Sequence, residues 1–140
     1  MVAVVVDANV ALGWIEALDQ GPDLHDYAAK LGRALANDEA YLIAPYVFHA
    51  ECAHSLLKRS RSGGWPPGTV QDYAAMIESY RVALHPEITP LLEHVDAAVK
   101  RHVQGFDLLY LDLALATGAS IATKDRGLIA AAERVGVRVF

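Results

Sequence analysis

The apolar positions change period several times along this chain, and each change marks an element. Val2–Val6 is an uncharged run of four valines and an alanine, the pattern of a strand buried on both faces in the middle of a parallel sheet. It stops at Asp7, and Val10, Ala11, Leu12, Trp14 and Ile15 then follow helical spacing. Asp19–Asp23 reads as a turn with an aspartate cap. Beyond it Leu24, Tyr27, Ala28, Leu31, Ala34 and Leu35 predict an amphipathic helix. Tyr41–Ala44 predicts a second strand, stopped by Pro45. A helix is expected over Tyr46–Arg61, with Phe48, Cys52, Ala53, Leu56 and Leu57 on its core side. That periodicity puts Glu51 off the apolar stripe, among His54, Ser55 and Lys58, as a solvated-face residue.

After the loop Ser62–Gly68, Val70, Tyr73, Ala74, Ile77 and Tyr80 resume a helical stripe. Val82–Thr89 holds a weak third strand, interrupted by Pro86. Leu91, Leu92, Val95, Ala98 and Val99 mark a further helix. Phe106–Thr117 is apolar all round except for Asp107 and Asp112, which predicts a buried helix closed by Gly118 as a left-handed cap. Ala119–Thr123 is a second buried strand, followed by Lys124 and Asp125. A helix over Gly127–Val135 and a strand over Val137–Phe140 complete the chain. Strands alternating with helices predict an α/β fold: one domain over residues 1–140, an α/β/α sandwich with a mostly parallel central sheet.

Composition narrows the class. The chain has 140 residues, 54% hydrophobic and 21% charged, which is enough for one sizeable core. Met1 runs directly into the first strand without a basic leader, and no apolar run reaches ~18 residues. A single cysteine, Cys52, excludes an intrachain disulfide. The expected location is therefore cytoplasmic. A net charge of −5 is unlike a general nucleic-acid binder, although two bound divalent cations would offset most of it.

Four acids carry the candidate chemistry. Asp7 and Asp125 each follow a buried strand, at the edge where open α/β sheets bind ligands; as the alternative, Asp7 is simply a helix cap. Asp107 opens a buried helix, where the dipole favours its charge, and Glu51 comes from a separate helix. Acids converging on one crevice repel, unless a cation holds them ionised. Hard divalent cations take oxygen ligands, and magnesium commonly completes its shell with water and substrate phosphate. Such a cluster suggests metal-assisted phosphoryl transfer to water.

These residues resemble a known family. Val5-Val6-Asp7-Ala8-Asn9, Pro45 with Glu51, Phe106-Asp107-Leu108-Leu109-Tyr110-Leu111-Asp112-Leu113-Ala114, and Ala122-Thr123-Lys124-Asp125-Arg126-Gly127-Leu128 resemble the PIN-domain signature. Their order and spacing are similar to those of the VapC-type toxins of prokaryotic toxin–antitoxin pairs, over essentially the whole chain. The resemblance implies a Mg2+- or Mn2+-dependent endoribonuclease with Asp7, Glu51, Asp107 and Asp125 as its acidic, metal-holding catalytic site and Asn9 and Thr123 as polar supports. Asp7, Asp107 and Asp125 would hold one ion. Glu51 would help hold a second or orient the attacking water, and cleavage would leave 5′-phosphate and 3′-hydroxyl ends. It also implies a homodimer, an RNA substrate and a small antitoxin whose C-terminal segment lies across the cleft. Two positions depart from the pattern. Asn9 stands where serine or threonine is commoner. Asp112 is an extra acid, turned ~140° from Asp107 on an α-helix, and is read as a partnered structural group.

Lys58, Arg59 and Arg61 beside Trp65 form a candidate nucleic-acid edge, against a solvated helix end and a packed loop tryptophan. Lys124 and Arg126 are candidate contacts to substrate phosphate or antitoxin carboxylates. His49-Ala50-Glu51 lacks the downstream cysteine pair of a zinc deaminase. The six histidines have no His-Glu-x-x-His spacing, and the glycines form no nucleotide fingerprint. Three rival readings remain: a metal-dependent nuclease acting on DNA, a non-catalytic signalling module of receiver-like architecture, and a degenerate scaffold that only binds a partner. The second would want adjacent acids after the first strand, and Asp7-Ala8-Asn9 does not supply them.

Overall fold

The computed structural model describes residues 1–140. Its centre is a four-stranded, wholly parallel sheet of β1 (Val2–Val6), β2 (Ala40–Pro45), β3 (Ala83–His85) and β4 (Ser120–Ala122), in the order β3-β2-β1-β4. β1 lies inside, with Val4 paired to Leu42 on one side and Val6 to Ala122 on the other. Val4, Val5 and Val6 are fully buried, as expected of valines packed from both faces.

Seven helices complete the chain: α1 (Ala8–Leu12), α2 (Pro22–Ala36), α3 (Phe48–Gly63), α4 (Thr69–Glu78), α5 (Leu91–Arg101), α6 (Asp107–Thr117) and α7 (Arg126–Arg134). From β1 through β2 to β3 the chain steps in one direction, so right-handed crossovers put α1–α4 on one face of the sheet. The return from β3 to β4 reverses direction and puts α6 on the other face, packed over β1, β2 and β4 with α7 beside it. The reversal makes the β1/β4 boundary the topological switch point of the sheet. Gly13 lets α1 and α2 meet closely, since a Cβ there would stand 2.9 Å from the Cβ of Ala28.

Several expected elements differ in detail. α2 is entered through Gly21 at φ +87° with Pro22 at its first position, and no aspartate caps it. The third strand has three residues, because the segment leaves the sheet at Pro86. The C-terminal strand reduces to one parallel bridge between Val139 and Ile121. Two backbone bonds secure it: Ile121 N donates to Arg138 O, and Phe140 N to Ile121 O, both at 2.9 Å. On α3 only Phe48, Cys52 and Leu56 are buried; Ala53 is exposed and Leu57 is 46% exposed. The seam is a narrow i, i+4, i+8 stripe. No helix is long and apolar enough to cross a membrane.

Candidate active site

Asp7 leaves the end of β1 and enters α1 directly. Its side chain makes no capping hydrogen bond to α1. Instead Thr123 Oγ1, from the end of the neighbouring strand β4, donates to Asp7 Oδ2 at 2.8 Å, and both residues are buried. Thr123 Oγ1 also accepts from the Asp125 amide at 3.1 Å. One hydroxyl therefore ties the two strand-end acids together across the switch point. Asp125 is in addition a true cap: Leu128 N donates to its Oδ1 at 2.9 Å. A cap and a site acid need not be different residues, since a carboxylate has a second oxygen.

Glu51 comes from the first turn of α3, and its environment corrects the solvated-face expectation. It is partly buried, and the hydroxyl of Tyr110, from α6, donates to its Oε1 at 2.7 Å. Tyr110 is 1% exposed. A buried phenol must find a partner, and that requirement is the only signal in the sequence that could have marked Tyr110 as more than core. Asp107 stands at the start of α6.

The electrostatics of the four acids interlock. Burial raises the pKa of Asp7, opposed by the Thr123 hydrogen bond; the Ala8 and Asn9 amides also lie near enough to lower it, without reaching hydrogen-bond geometry with its carboxylate. Burial raises that of Glu51, opposed by Tyr110. Asp107 is pushed up to about 6 by burial and then by the charges of Asp125, Asp7 and Glu51. Burial and the Glu51 carboxylate push the Tyr110 phenol up as well. The chain's one ion pair, Arg101–Asp112, lies elsewhere, so no lysine or arginine neutralises these acids.

A cavity of about 390 Å3 opens beside them, lined by Asp7, Asn9 and Glu51 with His54, Ser55 and Phe106 among its walls. The donor chemistry fits a hard divalent cation: carboxylate oxygens, unpaired with any lysine or arginine and mutually repelling. As the side chains stand, however, no three His, Cys, Asp or Glu groups are gathered closely enough to hold an ion. The acids share one electrostatic neighbourhood without closing into a finished ligand shell.

Other sequence candidates sort as follows. Asp112 is paired with Arg101, part-buried on both sides. Arg59 donates to Gln20 Oε1 at 3.0 Å, and Gln20 donates to Leu12 O at 3.0 Å, so Arg59 ties α3 to the end of α1. Trp65 packs edge-on against Tyr73 with centroids 5.1 Å apart. Lys58 and Arg61 are exposed, as is Arg126. Lys124 Nζ sits 5.0 Å from the centroid of the Tyr27 ring. Cys52 is buried, and desolvation pushes its thiol up to about 12, which leaves it an inert core residue.

Fold and site together define an α/β protein with an acid-lined crevice at the switch point of a parallel sheet. Residues 4–134 match the PIN domain family, and the chain belongs to it. Members of that family are generally metal-dependent nucleases. Among solved structures the chain is similar to PAE2754 from Pyrobaculum aerophilum, with a TM-score of 0.68 and 22% identity over 93% of this chain and 79% of that one. At that identity the likeness concerns the fold. No curated protein matches the chain.

Proposed function

We propose that the chain is a Mg2+- or Mn2+-dependent endoribonuclease that hydrolyses RNA phosphodiester bonds, and that it is the toxin of a type II toxin–antitoxin pair. The observation that carries the nuclease reading is the Asp7–Thr123–Asp125 linkage at the β1/β4 switch point, with Glu51 and Asp107 in the same field and none of them paired with a lysine or arginine. Asp7, Asp107 and Asp125 would hold the cation, which when bound polarises the scissile phosphate and lowers the pKa of water. Thr123 fixes Asp7 through its hydroxyl. Glu51, steadied by Tyr110, orients the attacking water and accepts its proton. Water oxygen bonds to phosphorus, the P–O3′ bond breaks, and the departing oxygen takes a proton, leaving 5′-phosphate and 3′-hydroxyl ends.

The test is cleavage of RNA and DNA oligonucleotides of matching sequence with Mg2+ or Mn2+. RNA cleavage by the wild type and its loss in Asp7→Asn are expected. Cleavage of DNA alone selects the DNA-nuclease reading, and cleavage of neither rejects nuclease activity. The toxin assignment is tested by co-expression with the product of a short neighbouring reading frame, which should bind the chain and suppress cleavage.

A homodimer belongs to the same proposal. α5 buries no residue, and Leu92, Val95 and Val99 form an i, i+3, i+7 stripe that is 77%, 48% and 68% exposed. Apolar stripes of this kind mark protein contacts, and we assign this one to a second copy. Val99→Asp is expected to shift the sedimenting species from dimer to monomer; a monomeric wild type would end the assignment.

A further inference from the structure

Phe106 is an aromatic residue in an unusual place. It directly precedes Asp107 and is 55% exposed. Its ring is a wall of the carboxylate cavity and also of a second hollow of about 260 Å3. Tyr46, 54% exposed, lines the same hollow, with Leu109 and His94. Neither ring stacks on another aromatic or lies under a cation, and the Tyr46 hydroxyl makes no hydrogen bond within the chain. Two large aromatic side chains, one of them in the wall of the carboxylate cavity, are thus exposed with no aromatic or cationic partner to hold them there.

The hollow also has a definite chemical preference. It contains Glu87 and no lysine or arginine, which disfavours a phosphate and favours an uncharged group. The shared Phe106 wall makes the two cavities neighbours. In a ligand that spans them, a group handled by the acids adjoins one that lies against the Phe106 ring. In a nucleic-acid strand the scissile phosphate and the adjoining base have that relationship. A base is free to stack on a protein ring only when it is unpaired and unstacked from its neighbours.

Resting on the nuclease reading above, we propose that Phe106 and Tyr46 form a base-stacking subsite beside the carboxylate cavity, so that the substrate is a single strand with an unpaired base flanking the scissile phosphate. Stacking makes the subsite tolerant of base identity, since every base has a π-face. Glu87, Thr89 and His94 supply polar groups there with which a base edge can be discriminated.

The test compares kcat/KM for wild type, Phe106→Ala, Phe106→Leu, Phe106→Trp and Tyr46→Ala on a single-stranded RNA oligonucleotide, with and without an abasic nucleotide beside the cleavage site. Binding of the same fluorescein-labelled strand is followed in parallel. Both side chains are more than half exposed, so the substitutions leave the fold standing. The alanine variants should lose about tenfold on the intact strand, Phe106→Trp should retain wild-type rates, and Phe106→Leu should fall with alanine. The wild type should lose a similar factor on the abasic strand, and Phe106→Ala should lose little more. Equal rates for all variants in a cleaving enzyme, or equal rates for leucine and phenylalanine, overturn the subsite and leave the nuclease standing. A wild type that neither cleaves nor binds the strand overturns both. Variants with wild-type kinetics that release a protein partner would assign the hollow to an apolar peptide side chain and overturn stacking.

Discussion

Thr123 and Asp7 show how a single hydroxyl organises charge. They are the two buried polar residues outside the aromatic and cysteine side chains, and they bond to each other. A carboxylate buried in this way favours its protonated form, so neutralising it relieves a cost. Asp7→Asn should therefore leave the metal-free protein as stable at pH 7.5 as the wild type, or more stable, while cleavage is abolished. Thermal melts paired with cleavage assays check both halves, and loss of cooperative unfolding would make Asp7 structural. Tyr110 gives the opposite sign. Tyr110→Phe keeps the ring but leaves Glu51 without its donor, and should cost about 1–2 kcal/mol in urea unfolding. Cleavage should fall in the same variant because Glu51 loses its orientation. Glu51→Gln should lower cleavage by ~100-fold or more without that loss of stability, which separates the positioning residue from the group it positions. Asp7 and Asp125 could be read from the sequence because each ends a buried strand. Glu51 could not be read from periodicity, because its partner lies 59 positions away on another helix.

At the scale of elements, legibility followed length. The stripes of α2 and α4 and the apolar run of α6 each carry enough residues to declare a period. β3, at three residues, and the terminal bridge at Val139 exist only because a neighbouring strand offers its backbone, and no local pattern encodes that. The exposed Ala53 and Leu57 have a similar cause: α4 covers α3 along a line narrower than the apolar sector of the sequence. α5 is the extreme case, amphipathic in sequence yet without a buried residue. Its C-terminal end is tied to the body by the Arg101–Asp112 pair and by Arg134 Nη2 donating to Arg101 O at 2.7 Å. Asp112→Asn should thus cost about 1 kcal/mol at most, speed amide exchange in the last turn of α5, and leave cleavage unchanged. A fall in cleavage comparable with that of Asp7→Asn would place Asp112 in the site.

For the molecule as a whole, the acids make stability depend on pH in the sense opposite to that of ordinary paired carboxylates. Asp107, at about 6, and Asp7 and Glu51, also raised, hold protons more tightly folded than unfolded. Between the ordinary carboxylate range near ~4 and about 6, unfolding releases protons, so stability falls as pH rises through that window. With the metal chelated, the chain should melt at a higher temperature at pH 5 than at pH 7.5. Asp107→Asn should flatten the difference, which separates the site from the general repulsion of a chain with net charge −5. A divalent cation that binds only the folded state reverses the trend. At tenfold excess over Kd it adds about 1.4 kcal/mol, or about 5 °C for a chain of this size. That gain should be large at pH 7.5 and small at pH 5, where protons compete for the same oxygens. A Mg2+ shift of equal size at both pH values would place the ion away from these carboxylates. No shift at either pH would mean that the acids are gathered for some purpose other than holding a metal.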